Sequence, residues 1–137
     1  MPKMTNPAAY CEAALNAVCF GPPSDAEAAI STYFTDDYEQ TTDGEVSDRA
    51  AFATHIAYLR GLVTAGRIEV TEAVADGGHV ATRHTVHLTL NGGRAVILEV
   101  HLFGEFAPDG RLRRVHELTR LVDGADPAAD RELARAR

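Results

Sequence analysis

Apolar residues recur at helical spacing in the first half of the chain and at strand spacing in the second. Tyr10, Cys11, Ala14, Leu15, Val18 and Cys19 form one stripe. Asn6-Pro7 before it is a helix start, a side-chain cap followed by proline at the first helical position, and Gly21-Pro22-Pro23 is a stop. Ser24 and Glu27 have capping-box spacing, so a second, shorter helix is predicted to carry Ala26, Ile30, Tyr33 and Phe34 inward and to stop near Asp36. Tyr38 to Thr42 is predicted as a short strand, because the turn formers Asp36-Asp37 and Asp43-Gly44 bracket it. A third helix, capped by Ser47 or Asp48, is predicted to present Phe52, Ile56, Leu59, Leu62 and Val63 on one stripe up to Gly66.

Beyond that point β-branched residues rise, and Asp76-Gly77-Gly78, Asn91-Gly92-Gly93 and Pro108-Asp109-Gly110 read as tight turns. They divide the chain into four predicted strands, Arg67 to Ala75, His79 to Leu90, Arg94 to Ala107 and Arg111 to Val122. Connections this short allow only antiparallel neighbours, so the strands form a meander. The helices need an apolar face to cover, and the sheet is the only one offered. The expected architecture is α+β: a cone-shaped, curved antiparallel sheet covered by three N-terminal helices, in the order α-α-β-α-β-β-β-β. A small-molecule pocket belongs between the layers. Residues 1–137 read as one domain, with 125–137 a polar tail or helix that Pro127 is placed to begin.

Composition narrows the setting. At 45% hydrophobic and 24% charged residues the chain is neither disordered nor rich in membrane-length apolar runs. Met1 to Asn6 has one lysine and no apolar signal segment, so a cytoplasmic location is expected. A net charge of -7 speaks against nucleic-acid partners. Arg111, Arg113 and Arg114 form the one dense basic cluster in the body of the chain, read as a solvated strand end rather than an anion site. Cys11 and Cys19 lie about 12 Å apart along a helix and cannot bridge each other. Buried thiols are the expectation for both.

Six histidines are many for this length, yet no HxH, HExxH or cysteine cluster accompanies them, so neither a metal site nor any other cofactor is expected. In the last strand Glu117 shares a face with Val115, and burial there would raise its carboxyl into the range of a general acid or base. In the second long strand His84 shares a face with Thr82 and Val86, as a proton donor or as the partner that keeps Glu117 charged. The bland alternative is a His–carboxylate bond that only holds the sheet together. Strict alternation puts Val96, Leu98, Val100 and Leu102 inside and His101 outside. A bulge at Gly104 would bring His101 into the pocket, so its side stays open. Tyr38 and Gln40 share a face at the cone mouth, and His55 and Tyr58 of the third helix complete the candidate substrate-binding set.

The segments YFTDDYEQTTDG, DGGHVATRHTVHLTL and FAPDGRLRRVHELTRL resemble the SnoaL-like branch of the nuclear-transport-factor-2-like superfamily, which is similar to polyketide cyclases, limonene epoxide hydrolases and ketosteroid isomerases. The family's closing strand follows a glycine turn with an acid seven residues on, and Gly110 and Glu117 have that spacing. The resemblance implies the acid–base role for Glu117, with glutamate where those relatives carry aspartate. It places Tyr38 and Gln40 where epoxide hydrolases hold a water with tyrosine and asparagine. His84 stands at their arginine, Val86 replaces their aspartate, and Thr42 stands at the isomerases' base. His101, given the bulge, falls near the isomerases' proton-donating acid.

The expected function is cofactor-independent acid–base chemistry by Glu117, His84 and His101 on a mostly apolar, polyketide-like substrate: cyclisation, isomerisation, dehydration or hydrolysis. The alternatives are a hydrophobic ligand-binding module and a dimerisation module, and a homodimer through the sheet is expected in any case.

Overall fold

The structure, a computed structural model, describes residues 6–124, and the tail or helix expected over 125–137 lies outside the described residues. Helix α1 (Pro7–Cys19) starts as the sequence signals it, with Asn6 Oδ1 accepting from the Ala9 amide at 3.0 Å and Pro7 at the first turn. The capping box does not form. Pro23–Asp25 is instead a 3-10 turn, and α2 (Ala26–Tyr33) begins after Asp25 without a side-chain cap. Glu27 is drawn away by Arg49 of the third helix, at 2.6 Å. Helix α2 also stops short of Asp36, earlier than its apolar stripe suggests. Phe34 belongs to strand β1 (Phe34–Thr42), where it pairs in parallel with Leu112 and is 2% exposed.

Strand β2 (Glu45–Ser47), which the pattern does not foreshadow, closes a hairpin on β1. Helix α3 (Arg49–Leu62) is capped by Asp48, whose Oδ1 accepts from the Ala51 amide at 2.8 Å. It ends at Leu62 rather than at Gly66. Val63 and Thr64 are β-branched and Gly66 is a poor helix former, so the segment enters β3 (Val63–Asp76) instead. Gly66 is needed in that strand: a Cβ there would lie 2.2 Å from the Phe20 ring, which covers it.

Strands β4 (His79–Leu90), β5 (Ala95–Phe106) and β6 (Leu112–Asp123) complete the expected antiparallel meander from β3. The sheet as a whole is mixed, because β1 joins β6 in parallel, and the strand order is β2-β1-β6-β5-β4-β3. This curved, unclosed sheet under three helices is the α+β cone. At its β3 edge α1 supplies the missing partner: Asn16 bonds both the N–H and the C=O of Ile68 at 2.9 Å, and Glu12 accepts from the Val70 amide at 2.9 Å.

Alternation decides which side chains enter the cone. Val96, Val100 and Leu102 of β5 are buried, whereas Phe103 is 57% exposed on the outer face. Gly104 carries no bulge against β4, since Val80, Ala81 and Thr82 stay in step with Gly104, Phe103 and Leu102. Its missing Cβ makes room for Leu112 and Val80, each 3.1 Å from where that atom would be. Against β6 the register shifts between Ile97 and Leu98 and between Glu105 and Phe106 but not from His101 to Gly104, and His101 stays on the outer face, exposed. Among the described residues no helix is long and apolar enough to cross a membrane.

Candidate active site

Between the helices and the sheet lies a cavity of about 150 Å³, walled on one side by Phe34, Tyr38 and Phe52, whose ring centroids are 4.6 to 5.1 Å apart. Phe20 and Leu88 also line it. The polar groups that reach this space come mainly from β1 and β6, and they are joined. Tyr38, Gln40 and Thr42 alternate on the inner face of β1, and Thr42 stands in register with Glu117 of β6. The Tyr38 hydroxyl donates to Gln40 Oε1 at 2.6 Å. The Gln40 amide then donates to Thr42 Oγ1 at 2.8 Å and to Glu117 Oε1 at 3.1 Å, and the Thr42 hydroxyl donates to the same Oε1 at 3.1 Å.

Both bonds fall on one oxygen of Glu117. No hydrogen bond from the described residues reaches Oε2, and the side chain lines the cavity. Burial among apolar walls pushes this carboxyl up from 4.5 to about 7; the Thr42 bond opposes the rise and the negative charge of Asp43 adds to it. With Oε1 occupied as a double acceptor, the proton of the acid form belongs on Oε2. Near neutrality the cavity therefore faces either an acid O–H or a carboxylate lone pair at the same atom.

His84 also lines the cavity, but it does not pair with Glu117. It sits two strands away, about 10 Å across the sheet at the usual strand spacing, and its Nδ1 lies 3.0 Å from Thr82 Oγ1. Burial, with His101 beyond it, lowers the imidazole from 6.5 to about 4, so it is neutral at pH 7. A neutral ring held through Nδ1 can offer Nε2 to a ligand oxygen.

His55 lines the cavity from α3. Tyr58, one turn on, is 37% exposed and lines no part of it. His101 likewise stands outside, because β5 keeps its register with β4 through Gly104. The structure thus brings together Glu117, Tyr38 and Gln40, sets His84 and His55 across the same space, and leaves His101 and Tyr58 apart. Two contributors go beyond the residues that the sequence singles out. Thr42 figures in the resemblance only as a position lacking a base, yet it is a donor to the carboxylate; the alternation of Tyr38, Gln40 and Thr42 carries the signal. Thr119, two residues beyond Glu117, shares the inner face and lines the cavity.

The thiols are chemically quiet, Cys11 pushed up to about 11 and Cys19 to about 12 by burial. The arginine cluster is spoken for, with Arg111 on Asp109 at 2.8 Å and Arg114 on Glu105 at 3.5 Å. Among the described residues no three His, Cys, Asp or Glu side chains are grouped to hold a metal ion.

The sequence matches the model of the SnoaL-like domain over residues 9–115. The chain belongs to the SnoaL-like family. An uncharacterized protein of Schizosaccharomyces pombe is 34% identical to this SnoaL-like protein over 105 residues, 77% of this chain and 78% of its own. An LEH-like epoxide hydrolase of M. tuberculosis superposes with a TM-score of 0.65 at 22% identity, covering 82% of this chain and 81% of that one. A protein with a ketosteroid isomerase-like fold from Catenulispora acidiphila, in complex with trimethylamine, gives 0.64 at 15% identity, with 82% and 85% covered. At these identities the structural likeness speaks to the fold.

The opposite displacements of Glu117 and His84 make a prediction about stability. An imidazole held neutral down to about pH 4 stabilises the fold fully above 6.5 and withdraws that stability as the pH falls through 4. Relative to the parent, H84Q is therefore expected to gain about 3 kcal/mol between pH 7 and pH 4. Urea unfolding midpoints at the two pH values read this directly. An unchanged difference would mean that the folded-state imidazole titrates as it does in the unfolded chain.

Proposed function

We propose that this SnoaL-like protein catalyses proton transfer on small, neutral, monocyclic carbonyl compounds, with Glu117 as the general acid–base. The observation that supports this reading is the split of the carboxyl: Oε1 is held by Gln40 and Thr42, while Oε2 is open to an apolar cavity. A carboxyl that changes protonation near neutrality and is held in one orientation suits removal and return of a proton beside a carbonyl. The carboxylate takes the proton from the α-carbon, the C–H electron pair moves into the carbonyl as an enolate, and Oε2 returns the proton to that carbon or a conjugated one. His84, neutral, donates through Nε2 to the developing oxyanion when Thr82 donates to Nδ1.

Size and charge support the substrate class. A cavity of about 150 Å³ is the size that accepts a benzene-like ring, which is narrower than a multi-ring polyketide. Among the described residues no lysine or arginine lines it, so an anionic substrate would meet Glu117 without a counter-charge. Val86 is an apolar part of the wall where the epoxide-hydrolase resemblance calls for an aspartate, which favours proton transfer over epoxide opening.

The test is α-proton exchange of cyclohexanone, 3-cyclohexenone and phenylacetone in D₂O, followed by proton NMR. Exchange above the buffer rate is expected, rising with pH through an acid limb near 7. No acceleration with any of the three would remove the catalytic role and leave a ligand-binding one, which the same spectra report as ligand line broadening.

A further inference from the structure

Glu117 is held through more than its side chain. At the end of β1, Asp43 turns the chain with φ at 50°, a conformation that aspartate, asparagine and glycine tolerate best. Its amide donates to the Glu117 carbonyl at 3.0 Å. Its carboxylate accepts from the Thr119 amide at 2.8 Å through Oδ1 and from the Thr119 hydroxyl through Oδ2. Thr119 lines the cavity one pleat beyond Glu117, and Asp43, which does not itself line the cavity, holds Thr119 from the end of β1.

We propose that Asp43 is a positioning residue for Glu117, clamping the backbone at the Glu117 carbonyl and at Thr119 just beyond it, and presenting a second negative charge to the same carboxyl. This rests on the acid–base reading of Glu117 and adds the residue that adjusts it. The clamp fixes β6 against β1 where Thr42 meets Glu117, and it therefore sets the Oε1 bonds and the aim of Oε2. The charge makes the ionised form of Glu117 less favourable, in the same direction as burial.

The other titratable groups around the cavity are Tyr38 from β1, Cys19 from α1, His55 from α3 and His84 from β4. From β5 only uncharged side chains such as Val100 and Leu102 enter. Tyr38 and Cys19, both pushed up by burial, are neutral at pH 7, as is His84. Among the described residues Asp43 is the charge that adds to the rise of the Glu117 carboxyl.

D43N separates charge from tether, because asparagine accepts the same backbone φ and its Oδ1 still takes the Thr119 amide. The experiment is a carbon-13 titration of protein labelled at the glutamate side-chain carboxyl, with the Glu117 line assigned by its absence in E117Q. It needs no substrate. The parent line is expected to titrate near 7, and in D43N its midpoint moves to lower pH with the fold unchanged. The acid limb of the exchange rate should move with it, so that at pH 6 D43N outpaces the parent. D43A, which also loses the tether, is expected to lower the maximal rate as well as move the midpoint. Identical midpoints in parent and D43N would overturn the role of Asp43 while leaving Glu117 in place. A parent midpoint near 4.5 would overturn both readings.

Discussion

E117Q is expected to lose at least about a hundredfold in exchange rate, the low end of what general acid–base groups contribute, and at the same time to be more stable than the parent at pH 8. Glutamine keeps the shape of the protonated acid: its carbonyl oxygen accepts from Gln40 and Thr42 as Oε1 does, and its amide faces the cavity. What it removes is the charge. A carboxyl whose folded value is near 7 rather than 4.5 favours the fold only while protonated, so that contribution is whole below 4.5 and lost as the pH rises through 7. At 1.36 kcal/mol per pH unit the interval is worth about 3 kcal/mol. Urea denaturation should therefore show E117Q and the parent nearly equal at pH 4.5, and the variant ahead by up to about that amount at pH 8. A variant that loses activity and also loses stability at pH 8 would point to a damaged fold instead of a missing proton.

R60M is expected to cost about 3 kcal/mol, a large effect for a substitution outside the cavity. Arg60 is 5% exposed and meets no carboxylate among the described residues; its guanidinium donates to the carbonyls of Val18, Pro22 and Ala17 at 2.8 to 2.9 Å. Ala17 and Val18 carry unpaired acceptors of the last turn of α1, Pro22 lies just past it, and a cation suits the negative end of a helix. Methionine fills much of the space but donates nothing, so the carbonyls of Ala17 and Val18 lose their donor inside the protein, while that of Pro22 keeps the Asp25 amide at 3.1 Å. Because Cys19 and Phe20, just beyond those carbonyls, form part of the cavity wall, the loss should also loosen ligand binding. Urea unfolding of R60M and R60K checks this: lysine keeps the charge and an ammonium donor, without the guanidinium fork, and regains part of the loss. Equal stability of R60M and the parent would mean that the carbonyls find water instead.

The main elements of the fold, and the inward placement of Glu117 in the candidate site, are legible in the amino-acid sequence. Helical spacing locates α1 and α3, the three glycine turns place the meander, and Val115 alone is enough to turn Glu117 inward. The boundaries that differ in the structure share a cause. Phe34 fits the stripe of α2 as well as the buried face of β1, and Val63 fits α3 as well as β3; the deciding contacts, with Leu112 and Leu90, come from distant strands. Gly104 is ambiguous because a glycine in a strand serves a bulge or a close approach equally well, and only Val80 and Leu112 reveal the second. The hardest feature for a local pattern is the parallel seam of β1 with β6, since nothing near Thr42 in the chain announces that its partner is Glu117.

That seam gives the protein an order of assembly. Thr42 and Glu117 are 75 residues apart, whereas the meander that carries Glu117 closes through neighbouring strands. Loops of that span cost more entropy to shut than hairpins do, so the β3–β6 hairpins can form while β1 is still searching for its place. The carboxyl then gains its anchors only at the final docking of the N-terminal half, and a chain stalled short of that point carries Glu117 without the hydrogen bonds that orient it.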